Sequence, residues 1–167
     1  MRKNSLFAVR HWCTGVAVLC GLAFGATTSL SAQNLRQYYL TQSSGFSGSN
    51  AKTACTTGYH MASLWEIFET SNLRYNISLG HTRADAGSGP PAGASGWIRT
   101  GFDSFNTIQA NAGGAANCLS YTSTGGIGTT VFLATPWQGT PLSPIVSPWV
   151  ASTHACNATT RVWCVLN

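Results

Sequence analysis

Cysteine placement constrains what this chain can fold into more than any other feature of its 167 residues. Of its six cysteines, Cys13 and Cys20 fall in a segment that reads as an export leader. Arg2, Lys3, Arg10 and His11 precede an apolar run over residues 16–26, and small and hydroxylic residues follow, which is the layout of a secretory signal peptide. The run is roughly a dozen residues, short of the about 20 that a membrane-spanning helix needs. Cleavage is expected after Ala32, leaving residues 33–167 as one domain. Cys20 follows Ala17, Val18 and Leu19 without the small residue expected before a lipid-modified cysteine, so lipid anchoring is not expected. Cys55, Cys118, Cys156 and Cys164 remain. An even set in an oxidising compartment favours two disulfides, and four cysteines allow three connectivities. No spacing among them forms a C-x-x-C redox pair or a zinc ribbon.

Removing the leader also changes the charge. It carries three of the nine Lys and Arg residues and none of the four Asp and Glu residues, so the remainder holds six basic against four acidic side chains, a net charge of +2. Arg36, Lys52, Arg74, Arg83, Arg99 and Arg161 are scattered rather than gathered into a stripe, and no nucleic-acid partner is expected. A chain this sparing in charge, and rich in Gly, Ser, Thr and Ala, is expected to rest on aromatic packing and cross-links more than on ion pairs.

Along the chain, residues 35–40 (LRQYYL) read as a first strand. Ser49 or Asn50 is placed to cap a short helix carrying Cys55 that stops at Gly58. Ser63 and Glu66 form a capping-box pattern opening a second helix, with Leu64, Ile67 and Phe68 at helical spacing. Residues 80–96 (GHTRADAGSGPPAGASG) have no periodicity and read as a long loop. Strands are expected from Trp97 to Gly101, over residues 129–133, and over residues 161–166 as a buried closing strand. Pro141, Pro144 and Pro148 exclude an interior strand between Trp137 and Trp149. Two early helices followed by short strands and long loops predict an α+β domain with an antiparallel sheet.

The helix cysteine in AKTACTTGYHMASL, the second helix SLWEI, the strand GWIRTG, and the pieces ANCLSYTS and VWCV occur in an order that resembles a C-type-lectin-like domain, closest to bacterial secreted relatives of unassigned function. The resemblance covers nearly all of residues 33–167. It implies two helices packed on short antiparallel strands, with Cys55 joined to Cys164 and Cys118 to Cys156. Chain-entropy arguments give such links upper limits of about 5 and about 4 kcal/mol. In this family calcium-dependent sugar binding uses an acid or amide on each side of a proline and an Asn-Asp pair after a tryptophan. Here Trp149 is followed by Val150 and Ala151, the Pro136, Pro141, Pro144 and Pro148 triplets lack carboxylates, and no Asp or Glu follows Asp103. A calcium site wants six to eight oxygens and several carboxylates, so neither calcium nor any other cofactor is expected.

His81 and Asp85 are four apart in a non-helical segment, so their spacing does not place them on one face. Glu66 is accounted for by capping and Glu69 as a solvated residue, no G-x-S-x-G elbow is present, and catalysis by His60, His81 or His154 is the least favoured reading. Trp65, Trp97 and Trp163 are expected in the core. Trp137 and Trp149 bracket the proline-rich loop where the fold's binding surface would lie; they read either as core or as indoles that meet a protein or carbohydrate ligand, with Arg99 and Asp103 as lesser polar contributors. The acceptor patterns at Asn76 and Asn157 are expected to be accidental in a bacterial protein. The leading expectation is a secreted or periplasmic binding module, not calcium-dependent, that displays long loops from a rigid scaffold. A structural envelope or matrix component is the alternative.

Overall fold

A computed structural model of the chain describes residues 35–84, 86–100, 116–134 and 149–167. Its spine is the closing strand. In Arg161–Leu166 the four central residues are all buried, as expected of a strand covered on both faces. Numbering strands in chain order, these are β1 (Arg36–Leu40), β2 (Tyr59–Met61), β3 (Leu73–Tyr75), β4 (Gly96–Trp97), β5 (Ile127–Leu133), β6 (Trp149–Ala155) and β7 (Arg161–Leu166). They form one sheet in the order β3-β1-β7-β4-β5-β6, with β2 also pairing β7. One edge of β7 takes β1, with Leu40 opposite Trp163. Its other edge takes β2 at Cys164 to Leu166 and β4 at Arg161 and Val162.

The α+β reading holds, with two corrections of detail. The sheet is mixed, because β1 runs parallel to β3 and β4 parallel to β7. The helices are also shorter than expected. The segment before Cys55 is a three-residue 3-10 turn, Ala51–Thr53, and Asn50 makes no side-chain cap there. Cys55 therefore follows the turn instead of riding on it. Gly58 turns the chain at φ +87, where a side chain would be strained. β6 had no counterpart in the sequence reading. Only alternate residues of WVASTHA are even half-covered through most of its length, and its small polar residues carry little strand signal.

The second helix, α1 (Leu64–Phe68), starts where the sequence places it. Ser63 Oγ accepts from the Glu66 amide and the Glu66 side chain returns to the Ser63 amide at 2.9 Å. Glu69, Thr70, Ser71 and Asn72 then end it, being mostly poor helix formers with side chains that compete for the backbone. A helix of five residues buries one narrow stripe. Ile67 is fully buried and Leu64 half-buried, whereas Trp65, about 100° around the axis from Leu64, is 77% exposed. The expectation that Trp65 is a core residue is thus corrected, while Trp97 and Trp163 are at 0%.

Glu66 does more than cap. Its carboxylate accepts from Arg36 Nη2 at 3.0 Å and meets His60 Nε2 at 3.0 Å, tying α1 to β1 and β2. Arg36 also donates to the Leu166 carbonyl at 2.7 Å, and His60 Nδ1 meets Asn167 Oδ1. Burial raises the Glu66 pKa, but hydrogen bonds from the Ser63 amide and hydroxyl and from His60 outweigh it and bring the carboxyl down to about 2, from 4.5. A depressed carboxyl stabilises the fold fully above its unfolded pKa and progressively less as pH falls through the folded value. Urea midpoints of the wild type and Glu66→Gln are expected to differ at neutral pH and to converge between pH 4.5 and 2. A gap independent of pH would contradict this assignment.

Residues 118–121 make one turn of left-handed helix, with φ of 47, 54, 52 and 58 at Cys118, Leu119, Ser120 and Tyr121. The Tyr121 amide closes the turn on the Asn117 carbonyl at 2.7 Å. L-residues resist this conformation by about 1–2 kcal/mol each, so tertiary anchors must hold it. Tyr121 is buried, with its hydroxyl 2.6 Å from the Ile98 carbonyl and its ring edge-on to Trp97. Asn117 accepts from the Thr100 amide and donates to Thr100 Oγ1, and Cys118 is cross-linked. Leu119 is 40% exposed. Leu119→Gly is therefore expected to stabilise by about 1 kcal/mol, raising Tm by about 3–5 °C; calorimetry showing a lower Tm would overturn the strain account.

Both disulfides join the partners that the family resemblance implies. Cys55–Cys164 has its Cα atoms 5.7 Å apart and Cys118–Cys156 5.6 Å apart. The first clasps the segment after the 3-10 turn to β7. The second ties the left-handed turn to the end of β6. No helix among the described residues is long and apolar enough to cross a membrane.

Candidate functional site

Register brings several separate stretches of chain to one end of the sheet. β4 and β7 start there, with Gly96 opposite Arg161. β5 ends there, with Ala92 bridged to Leu133 and the Gly93 amide donating to the Leu133 carbonyl at 2.8 Å. Leu133 pairs with Trp149, so the connection over residues 134–148 leaves and returns at this end. Gly96 is required by crowding, since a Cβ there would overlap the Leu40 side chain and lie 2.8 Å from Trp163 Cδ1.

The long loop after β3 returns to the same place. The His81 amide donates to the carbonyl of Leu40, the last residue of β1, at 2.7 Å, and the His81 carbonyl accepts from the Tyr75 hydroxyl at 2.6 Å. Gly80 permits this approach, because a Cβ would collide with that hydroxyl. Arg83 spans the loop by donating from Nη1 to the Ala92 carbonyl at 3.0 Å. On β7, Arg161 shares the face of Trp163 and Val165 by strand alternation, the face against which Tyr38 and Tyr75 pack.

Arg83, Arg161 and His81 are close enough for their charges to interact. Burial lowers the Arg161 pKa and the Arg83 guanidinium lowers it further, with Tyr75 opposing. Burial likewise lowers the His81 pKa, assisted by Arg161 and Arg83. Tyr75 is raised by burial to about 12, against the Leu40 amide and Arg161. Arg161 Nε is buried with no hydrogen-bond partner, an arrangement that costs about 1–3 kcal/mol or more for a charged group. Among the described residues no acid pairs with any of the three; the ion pairs present, Arg36–Glu66 and His60–Glu66, lie elsewhere. Two guanidiniums beside a histidine, at the roots of two long connections, are suited to holding negative charge.

The residues singled out in the sequence lie apart from this array or outside the described structure. Trp149 is 7% exposed and packs edge-on against Trp163 at 5.3 Å, so its place is in the core and not on a stacking surface. It is buried because β6 begins at the tryptophan, which places its ring on the inner face beside β7. Arg99 has an exposed side chain whose Nε donates to the Met61 carbonyl, and its backbone pairs with the segment that starts α1. That is a scaffold contact. Trp137, Asp103 and Asp85 lie outside the described residues. His60 meets Glu66 and Asn167, His154 packs edge-on to Trp97, and these histidines share no partner with His81. Asn76 is engaged in a local turn, its Oδ1 accepting from the Ser78 and Leu79 amides. No group of three or more His, Cys, Asp or Glu among the described residues could hold a metal ion.

Arg83 and Arg161 stand 78 positions apart in the sequence, and nothing in their local spacing announces that they meet. A groove of about 410 Å³ beside Cys55, lined by Tyr39, Thr41, Gln42, Ser43 and Phe46 among others, carries no charged side chain. Comparison with models of protein families, with curated proteins and with solved structures finds no match to this chain.

Proposed function

We propose that this chain is an exported, non-catalytic binding module of C-type-lectin-like architecture, recognising a protein or glycan ligand without calcium. The observation that carries this reading is the convergence, at one end of a doubly cross-linked sheet, of the loop over residues 81–95 and the connection between Leu133 and Trp149. A rigid scaffold presenting long connections at one end divides stability from recognition. The pairing of β1 with the closing strand, the Cys55–Cys164 clasp and the Cys118–Cys156 link support the architectural part.

A glycan array and a pull-down from cell-envelope extract, each run with and without EDTA on oxidised protein, test the proposal. Retention that survives EDTA is expected. Blank results from both, with a cooperative melt confirming that the protein is folded, would count decisively against it.

A second reading, a structural envelope component, has its own observation. Trp65 at 77% and Phe68 at 43% exposure stand three residues apart on α1 and so share a face. On that reading fractionation finds the chain in a large assembly, and Trp65→Ala releases it. A chain that remains a freely sedimenting small species removes the second reading.

A further inference from the structure

We propose that Arg83 and Arg161, with His81 at their side, form an oxyanion site that takes a carboxylate, phosphate or sulfate group at the end of the sheet where β4 and β7 begin. The proposal deepens the binding-module reading, since it names the chemistry of the ligand's anchoring group, and for its biological use it rests on that reading. Its physical basis is separate.

The first support is the charge inventory. The elements that reach this place are β7 through Arg161, the long loop through His81 and Arg83, and β3 through Tyr75, whose hydroxyl is already committed to the His81 carbonyl. Among the described residues, the ionisable groups they contribute are two arginines, a histidine and a tyrosine, with no carboxylate. Like charges brought together repel, and a fold places them so only where something offsets the repulsion. Arg36 at the opposite end of the sheet shows the ordinary solution, a carboxylate partner in Glu66.

The second support is geometric. Arg83 spends one Nη1 hydrogen bond on the Ala92 carbonyl, which fixes its guanidinium over the loop and leaves other N–H groups to donate. The strand register places Arg161 on the face of Trp163, and its buried Nε–H has no acceptor. Two guanidiniums on different elements, one tied to a backbone carbonyl and both with N–H groups unspent, are suited to oxygen anions, which accept several charge-assisted bonds at once. The neutral groove beside Cys55 has no comparable donors.

The third support is position. The site adjoins the roots of both long connections, at Ala92, Leu133 and Trp149. An anion bound there would sit where a larger ligand meets the loops, and a single anionic group would set its orientation.

The experiment uses the intact oxidised chain. Arginine Nε–Hε and histidine ring resonances are followed by NMR during titration with sodium phosphate, sodium sulfate and sodium acetate, ionic strength being held constant with sodium chloride. Saturable displacement of the Arg161 Nε–Hε resonance by at least one of the three is expected, accompanied by a rise in the His81 pKa. Arg161→Gln and Arg83→Gln should each weaken that binding about tenfold or more, whereas Arg74→Gln, which removes the same charge from an exposed position on β3, should leave it unchanged. Response to phosphate and sulfate alone assigns a tetrahedral oxyanion; response to acetate assigns a carboxylate. The proposal is overturned by shifts that fail to saturate, by equal responses in Arg74→Gln and Arg161→Gln, or by saturation that emerges only in Asp85→Asn, which would give the site to the loop's own carboxylate. Should phosphate saturate the site while array and pull-down stay blank, the binding-module reading falls and the anion site stands. A captured ligand whose affinity is indifferent to Arg161→Gln gives the reverse result.

Discussion

Replacing Cys55 and Cys164 together by alanine is expected to lower Tm by about 10–15 °C. The link closes 109 residues of separation, and chain entropy assigns it up to about 5 kcal/mol, with native disulfides in secreted domains typically worth about 2–5. Net stabilities of about 5–15 kcal/mol leave little after such a loss. The Cys118–Cys156 link closes only 38 residues of separation, for which the same argument gives about 4 kcal/mol. Its removal should cost still less than that figure, because it also frees Cys118 through Tyr121 from a left-handed turn that L-residues disfavour. Calorimetry on the two double variants orders them. A greater loss from Cys118→Ala with Cys156→Ala than from Cys55→Ala with Cys164→Ala would mean that the left-handed turn is not under strain.

What could be read from the sequence follows the range over which each signal acts. The capping box at Ser63 and Glu66 was legible because both partners lie within one turn of helix, and β1 and β7 because their β-branched and aromatic residues suit a covered sheet. The length of α1 was less so. Leu64, Ile67 and Phe68 have helical spacing, but Thr70, Ser71 and Asn72 draw the backbone into a 3-10 turn, and a helix that short cannot bury Trp65 as well as Ile67. The parallel pairings of β1 with β3 and β4 with β7 depend on crossovers that no local pattern encodes. The same holds for the cationic array. Arg83 lies in a glycine-rich loop and Arg161 at the start of the last strand, and only the alignment of Gly96 with Arg161 and the return of His81 to Leu40 bring them together. Trp149, by contrast, could be read two ways because a tryptophan after a proline-rich loop serves equally as a core ring or a ligand platform, and the strand that begins at Trp149 decides for the core.

Trp163→Ala is expected to cost about 4–6 kcal/mol and to abolish cooperative unfolding at 37 °C. The indole is fully buried on β7, stacks on Tyr38 at 6.1 Å and meets Trp149 edge-on at 5.3 Å. Truncating such a side chain removes about 3–5 kcal/mol through lost transfer and the remaining cavity, and Gly96 beneath it has no side chain with which to fill the space. Its Nε1 donates to the Val131 carbonyl at 2.8 Å, and loss of this buried hydrogen bond adds about 1 kcal/mol. Trp163→Phe separates the two contributions, since the ring is retained in part while the donor is lost; about 2 kcal/mol is expected and the fold should survive. Because Arg161 lies two residues away on the same face, Trp163→Phe protein should still saturate with any anion that the wild type binds, at an affinity within a few-fold. A phenylalanine variant that keeps its cooperative melt yet loses that saturation would mean that the indole sets the geometry of Arg161 directly, and that the site cannot be separated from the core beneath it.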